Sequence, residues 1–180
     1  MSGLSIGRRW HWLLVPVFAF ALLLLSFAPQ AHAQAYSGTT GRLAWTLDAD
    51  TGILSVSGET DMPDYTLADP APWNEYKADI ATVYIQPGVL SVGDFAFYQC
   101  ENLNTVSFGG ADSTVESIGK YAFYQCGLGD LRIPACVSEL GESAFSRNNA
   151  LTEVHFASDS NIANISASAF SDCHSLRIVD

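Results

Sequence analysis

Beyond residue 33 only two side chains, His155 and His174, are natural bases near neutral pH. A serine nucleophile works only when its hydroxyl touches such a base. If the segments around Val106, Leu131 and Val154 are successive strands, Ser107, Arg132 and His155 fall in one outward column. Ser107 and His155 are then two strand spacings apart, about 10 Å, which is too far for proton transfer. Asp130 or Glu153 next to Arg132 or His155 makes an ordinary cross-strand ion pair. Elsewhere the acidic residues are scattered, not gathered as the carboxylate pair of a glycosidase cleft, so no enzyme and no cofactor are expected.

Metal and disulfide chemistry fare similarly. Cys100, Cys126, Cys136 and Cys173 contain no CxxC pair, so zinc is not expected. "DADTG" at Asp48 to Gly52 resembles the opening of a calcium loop but lacks the third oxygen ligand, the later glycine and the closing glutamate. A hairpin turn is the favoured reading. "NIS" at Asn164 to Ser166 is a formal glycosylation sequon, without meaning in a bacterial protein.

The elements that must position the outward column emerge when the chain is aligned on itself. "FAFYQC" at Phe95 to Cys100 returns as "YAFYQC" at Tyr121 to Cys126. Ala-Phe pairs at Ala96, Ala122, Ala144 and Ala169 step by 26, 22 and 25 residues. Ahead of each pair stand Gly93, Gly119, Gly141 and Ser166, preceded by Val92, Ile118, Leu140 and Ile165, and earlier by Val89, Val115, Val137 and Ile162. Three residues after each Phe come Cys100, Cys126, Asn148 and Cys173.

The downstream half repeats as Leu103, Val106, Phe108, then Leu151, Val154, Phe156, then Leu176, Val179. Its second copy, Leu128, Leu131, Ile133, drops one residue, and a lead-in copy runs through Ile80, Val83 and Ile85. "LxxVxI" reads as a short strand with one apolar face, and "GxxAFxxC" has the i, i+3 spacing of one or two helical turns. No unit buries its apolar side alone, whereas stacked coils align the anchors into one core. In that register Cys100, Cys126 and Cys173 form an inward column, where a thiol packs as a small hydrophobe. Parallel stacked Cβ vectors are poor disulfide geometry, so buried free thiols are favoured.

This pattern resembles the BspA-like leucine-rich repeats of exported and surface proteins, over residues 80–180 in about four units with the last incomplete. The resemblance implies an α/β leucine-rich repeat solenoid, right-handed, with a short strand plus a short helix or turn per coil. It also implies an N-terminal cap over 36–79. There "RLAWTLDADTGILSVSG" reads as a β-hairpin, and Pro72 with Trp73 opens a short helix. Trp45, Tyr65, Trp73 and Tyr76 are its expected packing residues.

Residues 1–33 are of another kind. Arg8 and Arg9 precede an apolar run of 17 residues, Trp12 to Ala28, and "AHA" follows at Ala31 to Ala33. That order is the grammar of a secretory signal peptide, with twin-arginine export as a minor route, and the run is short for a membrane span of roughly 20 residues. Cleavage after Ala33 leaves six basic against nineteen acidic side chains, a formal charge of −13. Such a surface repels nucleic acid and anionic lipid.

The expected product is a secreted or cell-surface, noncatalytic protein. The family resemblance implies adhesion, through contact with a protein or cell-surface macromolecule. The alternatives are a structural or targeting module of a larger exported protein, or a carbohydrate-active accessory domain. The expected docking face is the outward strand ladder: Tyr84, Ser107, Arg132 and His155 in one column, with Thr82, Thr105, Asp130, Glu153 and Ile178 beside it. Leu176 and Val179 end the last unit without a polar cap, so self-association through that coil is also expected.

Overall fold

The computed structural model describes residues 34–180. Residues 1–33, read above as a signal peptide, lie outside them. The first three strands, β1 (Ala35–Thr40), β2 (Leu43–Asp48) and β3 (Ile53–Ser57), pair antiparallel in sequence order. β2 and β3 form the expected hairpin: the Asp48 carboxylate accepts the Asp50 and Thr51 amides at 3.0 and 3.1 Å, and Gly52 takes φ +69°. The acidic turn therefore spends its first carboxylate on its own backbone.

The helix expected after Pro72 is a single 3-10 turn, Asn74–Tyr76. Packing overrides α-helical propagation here. Trp73 is fully buried, its indole N–H donates to the Ala96 carbonyl at 2.8 Å, and Tyr76 stacks on Tyr36 at 4.0 Å. The indole N–H of Trp45, also buried, finds no acceptor among the described residues.

From β4 (Thr82–Ile85), which joins β3 in parallel, the chain winds as a β-solenoid of about five turns. Each turn begins with a strand on one face: β4, then β6 (Thr105–Ser107), β8 (Asp130–Ile133), β10 (Glu153–Phe156) and β12 (Ile178–Val179). Two-residue strands follow on a second face: β5 (Ser91–Val92), β7 (Ser117–Ile118), β9 (Glu139–Leu140) and β11 (Asn164–Ile165), all parallel.

The "GxxAFxxC" segments are not helices, so the α/β description is corrected to a β-solenoid. Their alternate amides leave the coil: Phe95, Phe97 and Gln99 donate to the carbonyls of Lys120, Ala122 and Tyr124 one coil on. The amides between them, of Ala96, Tyr98 and Cys100, bond three residues back. An α-helix needs every amide for its own i−4 carbonyl, and here half are committed to the neighbour. The turns are set by left-handed residues four apart, Phe95 and Gln99, Tyr121 and Gln125, Ser143 and Arg147, Ser168 and Asp172, with φ of 54 to 63°. Such conformations are uncommon for side chains with Cβ and persist where the surrounding structure imposes them.

Trp73, Phe97, Phe123, Phe145 and Phe170 stack in one column at centroid spacings of 5.0 to 5.5 Å. The glycine ahead of each of the first three pairs permits close backbone approach: a Cβ on Gly141 would lie 2.6 Å from Gly119 backbone. Cys100 and Cys126 are buried free thiols, while Cys136 and Cys173 are half-buried and also free. The cysteine position has a polar task besides packing. The Cys126 thiol donates to the Phe97 carbonyl and the Cys173 thiol to the Phe145 carbonyl, each at 3.2 Å. Asn148, which replaces cysteine in the third coil, reaches the Phe123 and Phe145 carbonyls at 2.8 Å from its amide nitrogen.

Candidate functional site

The expected ladder faces outward as the strand alternation requires, but it is not continuous. Tyr84 pairs with Ser107, and Arg132 with His155; between Ser107 and Arg132 the ladder breaks. One sheet runs β1-β2-β3-β4-β6 and another β8-β10-β12, so β6 and β8 are facing edges. Every other junction on this face is closed below by a good backbone bond, such as Asn104 to Ala81 at 3.0 Å and Thr152 to Gly129 at 2.8 Å. Here the matching bond, Gly129 to Asn104, stretches to 3.4 Å.

Three sequence features converge on the break. The second unit lacks one residue before Leu128, and "GGADST" follows Phe108, where Gly109 and Gly110 take φ of +84 and +62° and turn the chain into a 3-10 turn. Pro134 is the third. After β4 and β10, Gln86 and Ala157 donate their amides to the last anchor of the preceding coil, Val56 and Ile133. Pro134 holds that position after β8 and has no N–H to give.

The result is a cleft of about 680 Å³. Its floor is apolar, from Val106, Phe108, Ile133 and Phe156, and Thr105, Ser107, Asp130, Arg132 and His155 stand on its lips. Val106 is half-buried where its column neighbours Val83, Leu131 and Val154 are fully buried. Five of the nine ladder residues picked from the sequence therefore meet at one place. Tyr84 stands apart on β4, 40% exposed, and Glu153 lies outside the cleft, against His155. Sequence reasoning missed the floor and the break, although the dropped residue and Pro134 were visible.

The charges on the lips are unequally partnered. His155 is held from both sides, Nδ1 by Asp180 at 2.5 Å and Nε2 by Glu153 at 3.0 Å. The bond to Asp180 is the largest influence raising its pKa above the ordinary value, Glu153 adds to it, and burial and the nearby Arg132 oppose it. Asp130 accepts the Thr152 hydroxyl at 3.2 Å. Lys120 and Arg147 pair with Glu142 and Asp172, whereas Arg132 has no carboxylate within ion-pair reach among the described residues. Ser107 and His155 sit on strands separated by β8, with both ring nitrogens of His155 engaged by carboxylates. Burial pushes the Cys100 thiol up to about 12 and raises Cys126 as well, so neither is a ready nucleophile.

A second depression lies over β5, β7 and β9 and is acidic, but most of its carboxylates have partners. Asp64 accepts the Asp94 amide at 2.9 Å, Asp94 the Lys120 amide at 2.6 Å, and Glu142 the Lys120 ammonium at 3.0 Å. Among the described residues, no three His, Cys, Asp or Glu side chains converge as a metal site, and no helix is long and apolar enough to cross a membrane.

Short parallel strands stacked coil on coil, with a phenylalanine spine and a small buried donor beside it, define a leucine-rich repeat protein. The chain belongs to the BspA type leucine rich repeat family, whose model matches residues 75–180 in six copies. Among solved structures, it is similar to a leucine-rich repeat protein from Eubacterium ventriosum, at 22% identity and TM-score 0.62, over 82% of this chain and 44% of that one. Pneumococcal vaccine antigen PcpA aligns at 18% identity and TM-score 0.51, over 80% and 46% of the two chains. A leucine-rich repeat protein of T. pallidum aligns at 20% identity and TM-score 0.53, over 80% and 71%. The chain thus spans less than half the length of the first two. No curated protein sequence matches it.

Proposed function

We propose that this is an exported, noncatalytic repeat protein whose strand face binds another macromolecule, a protein or cell-surface component, in adhesion. The observation that carries the reading is the cleft between β6 and β8, an apolar floor framed by polar lips on a rigid stacked scaffold. Membership of a leucine-rich repeat family supports it, since repeat solenoids use extended strand faces for recognition. Export rests on the order of basic, apolar and small residues in 1–33. A second reading, a structural or targeting module of a larger exported protein, is favoured by the length of the similar structures, of which this chain spans 44% and 46%.

The test is binding to immobilised extracellular-matrix and plasma glycoproteins, repeated with Tyr84→Ala and Arg132→Ala combined. Saturable binding is expected, weakened by more than about 1 kcal/mol in the double variant, with the melting temperature nearly unchanged. If a confirmed partner binds both forms equally, the strand face is the wrong surface.

A further inference from the structure

At the edge of the five-stranded sheet opposite β6 runs β1, and the exposed Gln34 stands immediately ahead of it. Cleavage after Ala33 makes Gln34 the N-terminal residue, so its backbone nitrogen becomes a primary amine. An N-terminal glutamine then carries a nucleophile and an electrophile in one side chain's reach. The amine can attack its own side-chain carbonyl carbon, Cδ, and close a five-membered lactam with the advantage of an intramolecular reaction. The obstacle is the side-chain nitrogen, which leaves well only as ammonia and so needs a proton.

Gln34 is placed where that proton is at hand. Its carbonyl accepts the Ala49 amide at 2.8 Å, which fixes the residue against the end of β2. Its Nε2 donates to the Tyr36 hydroxyl at 2.5 Å, because side chains two residues apart in an extended chain project to the same side. Tyr36 is itself fixed. It is half-buried, lies opposite Leu47 in the ladder, and stacks on Tyr76 with ring centroids 4.0 Å apart.

We propose that Gln34 is a modification site, at which the amine freed by cleavage closes on Cδ to form pyroglutamate while the Tyr36 hydroxyl passes the proton that releases ammonia. This rests on the export reading above. In the intact amide, Nε2 has no free lone pair and only donates. Attack of the amine makes Cδ tetrahedral and gives Nε2 a basic lone pair, so the hydroxyl already against it donates in return. The bond from the backbone nitrogen to Cδ forms, the bond from Cδ to Nε2 breaks, and Nε2 departs as ammonia. The phenolate recovers its proton from the attacking nitrogen, so the chain loses one ammonia and nothing is oxidised or reduced. The product has no α-ammonium, which removes one positive charge beside β1 and leaves no free amine for an aminopeptidase.

The experiment cuts the full chain with purified bacterial signal peptidase at about pH 8, where much of an α-amine is neutral, and follows the mass of the N-terminal peptide with time. The expected product begins at Gln34, then loses the mass of one ammonia and becomes resistant to aminopeptidase. Tyr36→Phe, which keeps the stacked ring, should convert about tenfold more slowly. In urea the two chains should convert at one slow rate, since the hydroxyl is no longer held at Nε2. Gln34→Asn, whose closure would need a four-membered ring, should keep its mass. A product that begins at Gln34 and stays uncyclised, a folded Tyr36→Phe chain that converts at the wild-type rate, or an equal loss from Gln34→Asn would each overturn the proposal and leave the export reading standing. Cleavage at another bond, or none, would remove the export reading and the site with it.

Discussion

At the residue scale, the stack depends on a few side chains that repeat the same contact in every coil. Phe123 lies fully buried between Phe97 and Phe145, with ring centroids 5.0 and 5.2 Å away, and meets Phe108 edge-on. Phe123→Ala should destabilise by about 3–5 kcal/mol in urea unfolding, since both neighbouring coils lose packing and a cavity remains. A loss under about 1 kcal/mol would contradict the burial. Asn148 looks like a departure in the sequence, yet it extends the task of the cysteine column, donating to the Phe123 and Phe145 carbonyls. Its side-chain oxygen also receives the Leu128 amide at 3.4 Å. Asn148→Ala should cost about 1–3 kcal/mol by orphaning the buried Phe123 carbonyl, and Asn148→Cys, the residue of the other coils, should cost less. Equal losses would mean that packing alone sets this position.

At the element scale, β10 holds β12 through more than ladder bonds, because His155 on β10 pairs with Asp180 just past β12 as well as with Glu153. Folding raises the His155 pKa, so this contribution is fully present below the ordinary imidazole value of 6.5 and disappears as pH rises through the folded value. The urea midpoint of the wild type minus that of His155→Gln should therefore shrink between pH 6 and pH 9. A difference independent of pH would remove the ion pairs from the account. The strands themselves were legible in the sequence: "LxxVxI" alternates, and its anchors became β4, β6, β8 and β10. The turn segments were not. An i, i+3 spacing of Gly, Ala, Phe and Cys fits a helix as well as a pair of turns, and only the neighbouring coil, by taking the Phe95, Phe97 and Gln99 amides, decides between them. A pattern within one coil carries no information on bonds made to the next.

For the whole molecule, the column of Trp73 and four phenylalanines ties the N-terminal strands and the coils into one stack from β3 onward. The outward column was legible because strand alternation fixes which residues face out. The cleft within it was not read, although Pro134, the dropped residue before Leu128 and the "GGADST" insertion each marked it, because three small irregularities matter only when stacking brings them to one junction. On this account the face is a binding surface because its ladder is open between β6 and β8, and amide hydrogen exchange tests that directly. By register, Arg132 and Phe108 hold the positions of His155 and Phe156 in a closed ladder, where Phe156 donates to Asp180 at 2.7 Å. In the unliganded chain the Arg132 and Phe108 amides should exchange at least about tenfold faster than those of His155 and Phe156, after correction for intrinsic rates. Equal protection at all four would mean that the ladder closes in solution, and the cleft with its proposed ligand would have no basis.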